Sequence, residues 1–321
     1  MQTNERTALV LGATGGIGGT VAEALLRRGW QVRGLARDAA KAGHAARGDH
    51  RPIDWRQGDA MMCDDVVRAA GGVQAIVHAV NPPGYRNWDK LVLPMIDNTI
   101  AAARAAGGAR IVLPGTIYNF DPANTPIVHE DTPQLPRTGK GAIRVELERR
   151  LEAAAPEVPS LIVRAGDFFG PGSRASWFAQ AMVQPGRVVR RIVNPGRGVG
   201  HAYAYLPDLA EAIAQLLDAP ERLRAFERVG FEGYWDADGT GMPAAIRQSV
   251  GADVPERAFP WWLMRLLAPF GGFPREAVEI EPYWRSAVRL DNGRLVELLG
   301  AEPRTPVNDA VSATLATLGC V

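Results

Sequence analysis

Short apolar runs recur along the first half of the chain, and most are followed by a stretch with helical apolar spacing. TALVLGA (7–13) is apolar, bounded by glycine, and reads as a buried strand. In GGTVAEALLRRG (18–29) Val21, Ala24 and Leu25 share one helical face, and Gly29 stops the helix. QVRGLAR (31–37), RPIDWRQGD (51–59), VQAIVHAV (73–80), ARIVLPG (109–115) and SLIVRAG (160–166) read as five further strands. An Ala-rich helix over 94–107 separates the fourth strand from the fifth, and TGKGAIRVELERRL (138–151) forms a helix leading into the sixth. Buried strands alternating with helices predict an α/β fold: a doubly wound parallel sheet covered on both faces by right-handed crossovers. Ligands of such sheets bind outside the carboxyl ends of the strands.

Composition narrows the function classes. With 321 residues, 46% hydrophobic and 22% charged, the chain has the make-up of an ordinary globular protein. A formal charge of +1 gives no overall field to attract nucleic acid or an anionic membrane, so neither is expected as a partner. Only Cys63 and Cys320 are present, too few for a disulfide framework, which points to a reducing cytoplasm. The N-terminal apolar run is too short for a signal-peptide core. FPWWLMRLLAPFGGF (259–273) is interrupted by Arg265 and Pro269 and falls short of the roughly 20 residues a membrane span needs. It reads as a core or interface helix.

GATGGIG places Gly12, Gly15 and Gly18 at three-residue spacing between the first strand and its helix, with Thr14, Gly16 and Ile17 completing the turn. The first glycine permits the turn, the second lets backbone approach a pyrophosphate, and the third packs helix on strand. The helix N-terminus adds N–H groups and partial positive charge. In this strand–turn–helix setting the motif predicts a Rossmann dinucleotide site. The end of the second strand, where an NAD site usually has a carboxylate, holds Ala36 and then Arg37, with Arg33 on the same strand. Without the carboxylate a 2′-phosphate is not repelled, and a guanidinium binds it bidentately, so NADP is expected rather than NAD. Asp59 is a candidate for the adenine amine, or for the cap of the next helix.

The order of these pieces resembles the short-chain dehydrogenase/reductase superfamily, in its extended, epimerase/dehydratase-like branch. GATGGIG, QGDAMMCDDV, AIVHAVNPP, VRAGDFFGPG (163–172) and HAYAYLPDLAEAI (201–213) carry the resemblance. It implies that Ala79, Val80 and Asn81 line the cofactor. It also implies a dinucleotide-binding domain over 1–166, to which 201–220 returns a strand and helix. Segments 167–200 and 221–321 would form a smaller lobe covering the substrate. In the family's active helix a Tyr is followed four residues later by Lys; here those places hold Lys140 and Arg144, with Glu148 four further on. Pro114 stands where a Ser or Thr is usual, with Thr116 and Tyr118 nearby.

The resemblance implies that Arg144 contacts the nicotinamide ribose and that Lys140 is a non-standard proton donor, unless it is a solvated residue near a helix start. Thr116 and Tyr118 offer another donor pair, although packing is the better account of Tyr118. Glu148 and Arg144 are expected to form an exposed helix pair, and His78 to be a packed histidine. Arg187, Arg190, Arg191 and Arg197 would hold an anionic substrate group or form a solvated loop. No cluster has metal-ligand spacing. The expected function is an NADP(H)-dependent oxidoreductase acting on a small carbonyl or alcohol substrate, as a monomer or homodimer. The alternatives are a nucleotide-sugar epimerase or dehydratase, and a dinucleotide-binding sensor that has lost catalysis.

Overall fold

A computed structural model describes residues 6–45, 53–82, 84 and 87–321. Residues 51–52 of the expected third strand, and Pro83, Tyr85 and Arg86 of the loop after the fourth, lie outside the described residues.

The first half alternates as expected. β1 (Thr7–Leu11) leads to α1 (Gly16–Arg27), β2 (Gln31–Ala36) to α2 (Ala39–Ala45), and β3 (Asp54–Gln57) to α3 (Cys63–Ala69). β4 (Ala75–His78) is followed by α4 (Trp88–Ala105) and β5 (Arg110–Gly115). A short β6 (Ile127–Val128) precedes α5 (Gly139–Ala154) and β7 (Ser160–Arg164). Five of these strands join with β7 and a later strand in one seven-stranded sheet, ordered by residue range 226–230, 160–164, 110–115, 75–78, 7–11, 31–36, 54–57. Every pair in it is parallel. The sheet is buried because its strands are apolar on both faces: Ala8 to Leu11 and Ala75 to Val77 are fully inaccessible.

The second half supplies β8 (Asp167–Phe169), β9 (Ile192–Asn194), β10 (His201–Tyr205) and α6 (Leu206–Asp218). β11 (Phe226–Gly230), β12 (Tyr234–Asp236), α7 (Gly241–Val250) and β13 (Glu256–Ala258) follow. The chain ends with α8 (Trp261–Leu267), α9 (Gly272–Ile280), α10 (Pro282–Arg285), β14 (Arg289–Leu290), α11 (Gly293–Leu299) and α12 (Val307–Leu318). One apolar layer joins the sheet to α1 and α6 through Val21, Leu25, Leu209 and Ile213. The opposite layer joins it to α3, α4 and α5 through Val66, Ile96, Leu147 and Leu151. A third cluster forms the lobe, built on Phe169, Trp177, Phe178, Tyr203, Trp261 and Trp284.

Three expectations are corrected. α4 begins at Trp88 rather than 94 and keeps Pro94 inside it, where the missing N–H forgoes one helical hydrogen bond. The strand at 201–205 does not return to the main sheet. β10 lies in a separate three-stranded sheet, parallel to β8 and antiparallel to β12. The strand that returns is β11, inside the stretch expected to belong wholly to the lobe; it runs parallel to β7 from Phe226↔Ser160 to Gly230↔Arg164. Along β11 buried residues (Glu227, Val229) alternate with half-buried ones, whereas β10 is buried from His201 to Ala204. Among the described residues no helix is long and apolar enough to cross a membrane.

Candidate functional site

The three glycines meet three different surroundings. Gly12 has φ +88°, and a Cβ on it would lie 2.5 Å from the Ala79 carbonyl oxygen. A Cβ on Gly18 would lie 2.2 Å from the Gly12 carbonyl oxygen, so helix and turn touch without a side chain between them. Gly15 donates its N–H to the Gly12 carbonyl at 2.9 Å, and a Cβ there would meet only that oxygen, at 3.3 Å. The space beside Gly15, at the N-terminus of the twelve-residue α1, is therefore open where a pyrophosphate would approach. Thr14 and Gly15 are exposed, while Ile17 packs on the core. Gly16 faces the loop after β8: a Cβ on it would lie 3.0 Å from the Gly172 carbonyl oxygen. The turn fits a dinucleotide's phosphates.

At the end of β2 the Arg37 side chain is exposed, and its carbonyl accepts from Gln57 Nε2. The neighbouring Asp38 is occupied at the start of α2, where Oδ1 accepts from the Lys41 N–H at 2.9 Å. Arg33 is drawn away from this end: its Nη1 donates to the carbonyls of Ala69 and Gly71, and its Nε lies 3.7 Å from Asp54. Asp59 closes a local turn before α3, accepting from the Met61 N–H at 3.0 Å and donating its own N–H to Asp65 at 2.9 Å.

β4 ends at His78, which is buried. Its Nδ1 lies 2.8 Å from Thr99 Oγ1, and that hydroxyl donates to the Met95 carbonyl at 2.9 Å. The hydroxyl proton being used, Thr99 accepts from His78, which fixes the Nδ1–H tautomer. Burial, reinforced by the Arg144 charge, pushes the His78 pKa down to about 3. It is a neutral packed histidine, as expected. Ala79 and Val80 follow against Gly12, and Asn81 is exposed beyond them. Arg144 Nη2 donates to Asn81 Oδ1 at 3.2 Å, and its guanidinium sits 4.8 Å from the centre of the Trp88 ring. Two residues 63 positions apart, both placed at the cofactor by the resemblance, thus meet.

The start of α5 is organised by Thr138, whose Oγ1 accepts from the Gly141 N–H at 3.0 Å. Lys140 is not a solvated helix-start residue. It is 5% exposed, and its ammonium is held between the carboxylates of Glu276 and Glu279 on α9. Glu279 Oε1 also accepts the Lys140 backbone N–H at 2.8 Å. Thr116 and Tyr118 belong to the framework of their loop. Thr116 Oγ1 accepts from the Tyr118 N–H at 3.2 Å, and its carbonyl accepts from Arg164 at 2.6 Å. The Tyr118 ring lies 4.9 Å from that of Tyr283, whose hydroxyl donates to the Tyr118 carbonyl at 2.9 Å.

Glu148 is a correction. It does not form an exposed pair with Arg144: it is buried, takes a double hydrogen bond from Arg164 (2.9 Å each), and accepts from Asn119 and Gln134 at 2.9 and 2.6 Å. A carboxylate pulled inward by a guanidinium on β7 cannot also serve the outer face of α5. Sequence reasoning did not find Glu148's partners, nor Glu276 and Glu279, because they lie far along the chain from the residues they hold. It also missed Asp167 and His201, joined at 2.7 Å across the β8–β10 pair with the imidazole stacked on Trp284 at 3.7 Å.

Residues 12–141 match the family described as NAD(P)H-binding. A 3-diazoavenalumate denitrifying reductase from Streptomyces is 29% identical over 180 residues, 51% of this chain and 57% of that relative. The match thus spans little more than half of the relative's length. Among solved structures, UDP-glucose 4-epimerase from Bifidobacterium longum, in complex with NAD+ and UDP, superposes with a TM-score of 0.72 at 14% identity, covering 96% of this chain and 97% of that one. The UDP-Glc/GlcNAc 4-epimerase of Campylobacter jejuni gives 0.70 at 15% identity, covering 98% and 99%. With the turn, the parallel sheet and the lobe, these findings show that residues 12–141 match an NAD(P)H-binding family and that the chain has the Rossmann-type fold of the two epimerase structures.

Proposed function

We propose that the protein is an NADP(H)-dependent reductase whose acceptor takes hydride without a proton from the helix position that usually provides one. The observation that carries this reading is the divergence of Lys140 and Arg144. Arg144 reaches back to Asn81 at the end of β4, whereas Lys140 is bound up with Glu276 and Glu279. A bound nicotinamide supplies hydride. The N–H groups of the glycine turn and α1 would bind the pyrophosphate, Arg37 the 2′-phosphate, and Arg144 the nicotinamide ribose. Lys140 in this reading pins α9 over the site rather than delivering protons.

Such a site suits a cationic or otherwise strongly electrophilic acceptor, in which no oxygen needs a proton as hydride arrives. The Streptomyces relative is named for a reductive denitrification of a diazo substrate. A diazonium carbon that takes hydride releases dinitrogen, and the charges balance with no proton added. Epimerases and dehydratases need acid–base chemistry where this chain has Lys140, which counts against that alternative. The decisive experiment follows NADPH oxidation with an aryl diazonium salt, a cyclic iminium salt and a panel of ketones and aldehydes, each against the uncatalysed rate. Turnover of the cationic acceptors alone is expected. Reduction of ketones that disappears in Lys140→Met would sink the proposal, and no turnover of anything would favour the sensor. Cofactor choice is tested separately. NADPH should bind at least about tenfold more tightly than NADH, and Arg37→Ala should remove the difference, since a charged contact contributes about 1.5–3 kcal/mol; calorimetric titration measures both.

A further inference from the structure

Between Asp167 and Asp208 the chain has no acidic residue and five arginines: Arg174, Arg187, Arg190, Arg191 and Arg197. Elsewhere the arginines mostly sit on carboxylates, as Arg28, Arg150, Arg164, Arg247 and Arg294 do. Among the described residues Arg187, Arg190 and Arg191 have no carboxylate within ion-pair distance, and all three are exposed. They border a cavity of about 550 Å³ whose other walls include Met182, Val183, Val189 and Val193. Met182, Val183 and Val189 are buried, so the cavity has an apolar floor under a cationic rim. The loop that forms it is held in place: Gly186 N–H donates to the Leu318 carbonyl at 2.7 Å, and Val189 N–H to the Cys320 carbonyl at 3.1 Å. Its lining shares no residue with the glycine turn, Asn81 or Arg144.

From this arrangement we infer a second binding site, for a small amphipathic anion: an apolar body seated on Met182, Val183, Val189 and Val193, with an oxyanion head on the Arg187, Arg190 and Arg191 guanidiniums. Three cations held close together without counter-charge repel one another, and an oxyanion relieves that repulsion. Guanidinium binds carboxylate and phosphate alike in bidentate fashion, so both heads satisfy the rim. The apolar walls add selectivity for ligands with a hydrocarbon or aromatic part of a few carbons. This site does not depend on the reductase reading.

The probes are octanoate, octyl phosphate, octanol and inorganic phosphate, titrated calorimetrically into the full chain at low ionic strength. One or both of the first two should bind at least about tenfold more tightly than octanol and inorganic phosphate, and the tighter of them identifies the head group. In the Arg187→Ala/Arg190→Ala/Arg191→Ala variant that binding should fall at least about tenfold. The three side chains are exposed, so the variant's unfolding midpoint and NADPH affinity should match wild type. Octanol or inorganic phosphate binding as tightly as the tighter of octanoate and octyl phosphate, or a triple variant that binds like wild type, would each overturn the proposal. So would no binding of any probe at millimolar concentration.

Discussion

Substitution should separate the loads carried by individual glycines. Gly18→Ala drives a methyl group into the Gly12 carbonyl, 2.2 Å away, and should lower stability by about 1–3 kcal/mol in urea unfolding. Gly15 has φ −94° and open space beyond it, so Gly15→Val should unfold near the wild-type midpoint while NADPH affinity falls more than about tenfold. Similar losses of stability in both would refute the assignment. His78 makes stability depend on pH. Its folded pKa, about 3, lies below the ordinary 6.5, so the unfolded chain binds the extra proton. The contribution is complete above pH 6.5 and is lost as pH falls towards 3, by about 1.4 kcal/mol per unit. From pH 7 to pH 5 this predicts a loss of about 2 kcal/mol, which His78→Asn should remove. The glycine roles and His78's packing were legible because turn chemistry and strand burial are local. The fates of Lys140 and Glu148 were not, because i,i+4 spacing says which side chains share a face but not which distant charge claims each one.

At the scale of elements, α5 is unusual in how it docks. Leu147, Leu151 and Ala154 are its buried apolar residues of any size, and polar contacts do the rest. Glu148 ties the helix to β7, and Lys140 ties its start to α9. Lys140→Met leaves two partly exposed carboxylates facing each other, so a loss of about 1–3 kcal/mol is expected, below the roughly 3–5 kcal/mol of a fully buried pair. NADPH affinity should not change. A double-mutant cycle with Glu279→Gln checks it, since a coupling near zero would mean the clamp does not exist in solution. α1, β1, β4 and β7 were readable from their apolar patterns. α4's true start was hidden because Pro94 reads as a boundary, though tertiary packing of Val92, Met95 and Ile96 holds the helix through it.

At the scale of the whole molecule, alternation of strand and helix was enough to predict the parallel sheet, and the glycine turn placed its cofactor end. Which later strand closes the sheet was not legible. β10 and β11 are both five residues long, so length does not choose between them. Because β11 completes the sheet, a chain cut before Phe226 should lose native near-ultraviolet circular dichroism even though 1–225 contains the whole cofactor turn. A native spectrum would show the sheet stable with β7 as its edge.

The β7–β11 pairing also sets an order of assembly. Residues 165–225 must be made before Phe226 can reach Ser160, and at roughly 5–20 residues per second on the ribosome that takes on the order of 3–12 s. Throughout that interval β7, a fully buried strand in the finished protein, presents an unpaired apolar edge. Newly made chain is then most exposed to edge-to-edge aggregation, and a chaperone holding that edge would raise the yield of folded protein more than any later intervention.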